Sequence, residues 1–485
     1  MAFNTYRFLA LLPLVVLGYW LLPQRYRWVV LLMASYGVCG TCAPTFLVWI
    51  VFSTLVTYAL GRVMGWTSSP GGRKAVLALG IVSNLGLLFV LKYLGFAEEI
   101  VRALFGYLRL PYRVTAPNLL LPVGISFYTV QSVGYLIDVY RGTVEPEKHL
   151  GLFALFTGFF AKLSAGPIER AGHLLPQFRQ AHSLDPARLF SGLQLMLWGM
   201  FKKVVIADRL AVYVNEVYAH PDGYAGWTIV IATLFSAAHI YSDFSGYSDI
   251  AVGVARLFGL DLIQNFEQPY LAASVSEFWR RWHISFSSWL RDYVYIPLGG
   301  SRVSRWRRDL NVFIVFVISG LWHGADWTFV LWGALHGVYL VVERWAKGPL
   351  DRVARALRLK ENSAVRGTLA IVTTFVLVTF SWIFFYARSV PDALLLIRNL
   401  VRFGSGSDIF APWAGLTAAP VAEMALAWGL IGLLALVQLG RDGRLARASL
   451  LTGKAGVRWA VYLLLGLAIM NLGVANELPF VYAGF

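Results

Sequence analysis

The sequence predicts an all-α, polytopic integral membrane protein, and three observations lead there. Hydrophobic residues fill 58% of the 485 positions and aromatics 15%, against 14% charged, which is more apolar surface than a water-soluble domain of this size buries. The apolar residues fall in long runs, not in the alternation of barrel strands. Short Arg-rich or Gly/Pro-rich connectors separate the runs, and none is long enough for a separate soluble domain. A single membrane domain over residues 1–485 is expected, with about 10–13 membrane helices and buried, re-entrant and amphipathic helices among them.

A crossing takes about 20 mostly apolar residues. Runs near 7–23, 27–43, 45–61, 75–96, 119–138, 150–166, 189–207 and 227–258 fit that ruler, the last long enough to be tilted or broken. The first has no small-residue cleavage site before Pro23 and reads as a retained helix. Arg25 and Arg27 after the first run, and Arg62, Arg73 and Lys74 after the third, place those connectors in the cytoplasm and the N-terminus outside. The formal charge of +16 is accounted for by such connectors, so no nucleic-acid partner is expected; anionic lipid or a phosphate-bearing substrate is compatible with it. Cys39 and Cys42 lie in C-G-T-C with no βαβ pattern around them and read as small helix-packing residues.

From 139 to 187 the pattern is irregular. Gly166-Pro167 stops a helix, and irregular backbone at membrane depth marks a cavity wall. Lys202, Lys203 and Arg209 read as a cytoplasmic boundary. In H-I-Y-S-D-F-S-G-Y-S-D, His239, Asp243 and Asp249 interrupt an apolar run, and intramembrane carboxylates are paired or functional. Two readings stand for the aspartates: they bond to Arg, Tyr and Ser neighbours and fix the bundle, or they serve the chemistry. His239 and Asp243, four apart, can form one helix-face pair. Farther on, a basic connector holds Arg344, Lys347, Arg352, Arg355, Arg358, Lys360 and Arg366. Spans return near 367–387, 420–439 and 457–474, with a Gly/Ser/Pro loop at 403–419.

Residues 274–293 combine Glu277, Arg280, Arg281, His283, Arg291 and Asp292 with Phe278, Trp279, Trp282, Phe286 and Trp289. So many charges exclude a lipid-exposed span, and the aromatics suit an interface. The segment predicts one amphipathic helix, capped by Ser276 and Glu277 and ended at Pro297-Leu298-Gly299-Gly300. Arg302, Arg305, Arg307 and Arg308 then precede a further apolar stretch that the basic connector follows, so both ends face the cytoplasm. About 35 residues between them fall short of two full spans of about 20 each. Two short helices meeting inside the membrane fit, with Gly320 and Gly324 permitting a break or close approach.

That hairpin, 310–343, puts His323 at its apex. Burial disfavours the charged imidazole, and the neutral ring is the form that takes a proton from a hydroxyl. His336 reads as a hydrogen-bonded core residue. No metal is expected: there is no H-E-x-x-H and no set of three ligands at metal spacing. G-x-S-x-G and the G-x-x-x-x-G-K-[ST] phosphate loop are also missing, which argues against a serine nucleophile and against ATP-driven pumping. A transporter with a midplane His/Asp proton relay is the reading from another class, disfavoured by the lack of an inverted hydropathy repeat.

Seven phrases occur in order: P-V-G-I-S-F-Y-T-V-Q from Pro122, A-G-P-I-E-R from Ala165, F-K-K-V-V-I-A-D from Phe201, Y-S-D-F-S-G-Y-S-D-I-A from Tyr241, N-F-E-Q-P-Y from Asn265, E-F-W-R-R-W-H-I-S from Glu277 and G-L-W-H-G-A-D-W-T-F from Gly320. Through them the chain resembles the membrane-bound O-acyltransferases, and most the bacterial alginate O-acetyltransferase branch. The resemblance implies a catalytic core over 120–345, flanked by transmembrane helices in 1–118 and 346–485, around a central funnel in the bacterial inner membrane. It implies His323 as the catalytic histidine, with His283 as the second, more variable polar position. Trp322, Trp327, Arg280, Arg281, Asp243, Ser287 and Tyr247 are the candidate substrate-binding residues. The implied donor is acetyl-CoA, whose phosphates Arg302, Arg305, Arg307 and Arg308 are placed to receive, although topology alone explains those charges. The implied acceptor is an extracytoplasmic polysaccharide such as alginate, or a periplasmic partner transferase. The W-H-G and R-R-W-H phrases are shared with D-alanyl transferases of teichoic acid, whose donor is a carrier-protein thioester.

Overall fold

Glycine, proline and side-chain caps decide where this chain's apolar runs become helix and where they stop. The computed structural model describes residues 3, 5–115, 117, 119–356, 363–404, 408–414, 417–440, 455–474 and 480. Arg358, Lys360, parts of the 403–419 loop and the side chains of Cys42 and Arg355 lie outside them. The described secondary structure is helical throughout, and the chain divides into two compact units, Met1–Met196 with Ile250–Ile263, and Leu197–Asp249 with Gln264–Val481. Among the described residues six helices are long and apolar enough to cross a membrane: Pro44–Trp66, Pro70–Tyr107, Pro186–Ala219, Ala364–Tyr386, Pro420–Leu439 and Ala455–Leu472, with Tyr6–Leu21 a shorter apolar one.

The first unit holds α1 (Tyr6–Leu21), α2 (Gln24–Cys42), α3 (Pro44–Trp66), α4 (Pro70–Leu88), a π-helical turn at Phe89–Tyr93, and α5 (Leu94–Tyr107). Then follow α6 (Ile125–Arg141), α7 (Leu150–Gly158) and α8 (Ala171–Arg179). Proline at the first turn of α3 and α4, and Ser69 Oγ accepting from Gly72 N–H, fix those starts. Cys39 packs in a buried cluster with Ile50, Leu88, Leu91 and Tyr128, as a small core residue should. The expected span 119–138 begins only at Ile125, because Gly124 turns the chain at φ 77° and a Cβ there would sit 2.1 Å from Leu163 O. Its residues from Ile125 through Leu136 are all buried. The expected span 150–166 is corrected more strongly. α7 ends at Gly158, and a run of turns follows in which buried Lys162 Nζ donates to Gln131 Oε1 and Phe156 O, each at 2.7 Å. The irregular backbone foreseen near Gly166-Pro167 therefore begins earlier than its signal, held by Lys162 and by Ser35 Oγ accepting from Phe160 N–H at 3.1 Å.

The second unit takes in the C-terminal parts of α9 (Pro186–Met200) and its π-helical extension Phe201–Ala207, α10 (Asp208–Ala219), and α11 (Trp227–Leu257) as far as Asp249. It continues with α12 (Val275–Arg281), α13 (Ile284–Leu290), α14 (Arg305–His323), α15 (Trp327–Ala356), α16 (Ala364–Tyr386), α17 (Val390–Leu400), α18 (Ala411–Ala414), α19 (Pro420–Leu439) and α20 (Ala455–Leu472). α14 and α15 form the foreseen hairpin, but at 19 and 30 residues they are not short. Of the arginines read as flanks, Arg305, Arg307 and Arg308 belong to α14 and Arg344 and Arg352 to α15, while Arg302 lies in the turn before α14. At the base, buried Asp309 pairs with Arg344 and accepts from Trp345 Nε1 at 2.9 Å. Along the hairpin the backbones nearly touch: a Cβ on Gly320 would lie 2.2 Å from Phe329 O, and one on Gly333 2.2 Å from Phe316 O. α15 carries a G-x-x-x-G, Gly333 with Gly337, the small-residue stripe that lets membrane helices approach closely, while Gly324 is the extended residue that caps α14.

Two expected outcomes test these placements. Gly333→Leu forces the hairpin apart and lowers stability by about 3 kcal/mol or more, read from thermal unfolding in detergent, whereas Gly429→Ala on α19, where a Cβ meets nothing within 4 Å, gains about 0.5 kcal/mol. On α8, the hydrogen bond from His173 Nδ1 to the buried Glu169 carboxylate (2.7 Å) raises His173 above the usual imidazole range. A raised value means that the pair's contribution is complete below about pH 6.5 and fades as pH climbs through the folded-state value. The gap in unfolding temperature between the native chain and His173→Gln should therefore be widest near pH 6 and close toward pH 9.

Candidate active site

The charged segment is not one helix. α12 starts at an N-cap, with Ser274 Oγ accepting from Glu277 N–H (3.0 Å), and Glu277 Oε2 reaches back past the cap to accept from Ala273 N–H (2.8 Å). The cap is Ser274 and not Ser276, whose N–H, with that of Val275, points to Glu343 Oε2 on α15 at 3.2 and 2.6 Å. The helix dies at Trp282. His283 then takes φ 45°, ψ 52°, the left-handed region, and its carbonyl opens α13 by accepting from Phe286 and Ser287 N–H at 3.0 and 2.9 Å. A non-glycine residue held there costs about 1–3 kcal/mol and is a mark of functional sites. Periodicity does not report this break, since the aromatic pattern runs through it unaltered.

Three contacts bind α12 and α13 to the hairpin. Glu343 holds the start. In the middle, Trp279 Nε1 donates to His336 Nδ1 (3.2 Å), so Nε2 carries the ring proton and donates to Ser381 Oγ (2.8 Å), which donates to Val378 O (2.6 Å). His336 is thus the satisfied core histidine the sequence predicts. At the end, Phe286 stacks on Trp322 with centroids 4.1 Å apart.

Both candidate histidines abut that stacked pair. The His283 ring centroid lies 5.2 Å from Phe286 and 6.0 Å from Trp322, with Phe244 of α11 edge-on at 4.7 Å. His323, the last residue of α14, lies 4.9 Å from Trp322 and 5.8 Å from Phe286, with Trp332 and Phe385 closing its other sides at 5.0 and 5.6 Å. His283 is 0% and His323 1% exposed. The result is an aromatic box with two imidazoles, in which water is displaced and electrostatic interactions strengthen.

Of the candidate binding residues, Trp322 is in the box. Trp327, beyond the Asp326 cap of α15, is 52% exposed. Arg280 is exposed, Arg281 pairs with Glu277, and Ser287 Oγ donates to Trp282 O at 3.1 Å. Asp243 and Tyr247 belong to a second cluster. Lys203 Nζ, 1% exposed, lies 2.7 Å from Asp243 and 2.8 Å from Asp208, and sits over the Phe480 ring that Tyr247 meets edge-on. Lys202 pairs with Asp249 at 2.9 Å and donates to Ser245 Oγ at 2.8 Å, while Arg209 pairs with Glu423 and donates to Leu472 O. Of the three cations read as a boundary signal, Lys203 and Lys202 are thus buried partners of the foreseen carboxylates Asp243 and Asp249, and Arg209 pairs with Glu423, as charges taken out of water require. His239 Nδ1 meets Tyr386 O–H at 3.0 Å. Of the box walls, Phe286 is among the aromatics named for the charged segment and Phe244 lies within a quoted motif, neither with a role assigned from the sequence, while Trp332 and Phe385 sit in apolar runs.

A model of the membrane-bound O-acyltransferase family matches residues 149–387. The chain is 35% identical, over 100% of both chains, to the probable alginate O-acetylase of Pseudomonas putida. It is 33% identical to the peptidoglycan O-acetyltransferase of Helicobacter pylori, over 82% of this chain and 79% of that one. With the teichoic acid D-alanyltransferase of Bacillus subtilis it shares 27% identity over 56% of this chain and 70% of the other. On a multi-pass helical membrane fold, these likenesses define an O-acyltransferase. More particularly, the chain belongs to the membrane-bound O-acyltransferase family.

The Lys203 cluster has its own expected outcome. Lys203→Met leaves two buried carboxylates facing each other and should cost about 3–5 kcal/mol, while adding Asp208→Asn and Asp243→Asn restores most of the loss, read from thermal unfolding of the purified variants.

Proposed function

We propose that this acyltransferase takes an acetyl group from acetyl-CoA at the cytoplasmic face of the bacterial inner membrane and delivers it for O-acetylation of an extracytoplasmic polysaccharide such as alginate, directly or through a periplasmic partner transferase. The observation that carries the reading is the aromatic box, which holds His323 at the hairpin apex with His283 on the same stacked Phe286–Trp322 pair. His323 acts as general base: it takes the acceptor hydroxyl proton as the oxygen attacks the thioester carbonyl, the C–S bond breaks, and the proton passes to the departing thiolate. His283 orients the acceptor or polarises the carbonyl. Trp322 supports both rings, and exclusion of water protects the thioester from hydrolysis.

Likeness over the whole of the alginate O-acetylase, against part of the D-alanyltransferase, supports acetyl over D-alanyl as the transferred group. The Asp243–Lys203 cluster with Tyr247 serves as scaffold and takes no part in the chemical step, since its charges pair with one another.

Purified protein in lipid nanodiscs, given labelled acetyl-CoA and alginate oligosaccharide, should release CoA and label the sugar. His323→Ala should lower that turnover by about 100-fold or more. Equal turnover in the two proteins would sink the mechanism, and label remaining on the thioester in both would favour another donor or a transport function.

A further inference from the structure

Residue 283 does not hold its left-handed conformation unaided. The stretch around Asn265 runs beside it: Glu267 N–H donates to Arg281 O at 2.9 Å and Ile284 N–H donates to Asn265 O at 3.0 Å, so the two strands of chain clip the backbone on both sides of His283. The Asn265 side chain, 1% exposed, completes the clip. Its Oδ1 accepts from Ser285 Oγ–H at 2.6 Å and from Ser285 N–H at 3.3 Å, and its Nδ2 donates to Ser248 Oγ on α11 at 3.2 Å. An amide serves here because it accepts on one side and donates on the other, and Ser248 fixes which way it points.

We infer that Asn265 is a positioning residue for acyl transfer: its carbonyl and side chain together hold His283 in the bend that carries the imidazole to the Phe286–Trp322 pair shared with His323. Without the clip, α12 would run on into α13 as one helix, the geometry that local propensity favours for an L-residue, and the imidazole would swing away from that pair. The inference rests on the proposed role of His283.

The test is a double-mutant cycle on purified protein in nanodiscs, with labelled acetyl-CoA and alginate oligosaccharide. Asn265→Leu should lower kcat by about 10- to 100-fold with donor KM changed less than about twofold, as loss of a supporting hydrogen bond behind a working group does. Ser248→Ala removes only the partner of Nδ2 and leaves both Ser285 bonds to Oδ1, so it should retain most of the activity. In a His283→Ala background, Asn265→Leu should cost nothing further. A full additional loss in that background would overturn the inference, because Asn265 would then act independently of His283. His283→Ala turning over like the native chain would instead overturn the underlying role of His283. If Asn265→Leu does not accumulate, Ser285→Ala removes one bond to Oδ1 and closes the same cycle, with a smaller kcat loss expected and again none beyond that of His283→Ala.

Discussion

The close approach of α14 to α15 is the constraint on which the site depends. Where a Cβ at Gly320 or Gly333 would collide with the facing carbonyl, no side chain separates the backbones. That brings Trp322, His323 and Trp332 into one layer at the closed end of the hairpin and leaves Glu343, His336 and Trp322 as successive anchor points for α12 and α13. In lipid, apolar surface gives no net drive for helix association, so van der Waals contact at this range does the work that the hydrophobic effect does in water.

Polar groups in this unit follow a second rule. Nearly every buried charge described above has a charged partner: Lys203 with Asp208 and Asp243, Lys202 with Asp249, Asp309 with Arg344, Arg209 with Glu423. Such pairs add little net stability compared with well-packed apolar residues, but each is costly to break on one side only. Their use is in fixing register, because a helix that slips by one residue strands a charge. The aromatic box is lined instead by Phe, Trp and His side chains, so the charge pairs and the candidate site occupy separate clusters.

Much of this was legible in the sequence because it is written in local signals. Apolar runs gave the all-α membrane class, paired Arg-rich flanks gave the hairpin, and Gly320, Gly324 and His323 marked its apex. What escaped is what depends on partners distant in sequence. Lys202 and Lys203 sit where a topology signal would, and nothing nearby distinguishes a lysine facing water from one facing Asp208. Ser276 reads as the cap until Glu343, far along the chain, takes its N–H and Ser274 accepts from Glu277 N–H instead. Phe385 joins the box from a run that is apolar for membrane reasons alone. The break at His283 is invisible to periodicity since both halves keep their aromatics inward, and the clip that makes it comes from Asn265.

The left-handed backbone at position 283 also narrows what evolution can place there. A β-branched residue is excluded by its own Cβ substituents, and most other L-residues are disfavoured, leaving Gly, Asn, Asp and His as the natural occupants of that region. Exchange of His283 within related chains should therefore run through asparagine or aspartate, side chains short enough for the bend and polar enough to address a hydroxyl. Any exchange at position 283 thus has a conformational boundary as well as a chemical one.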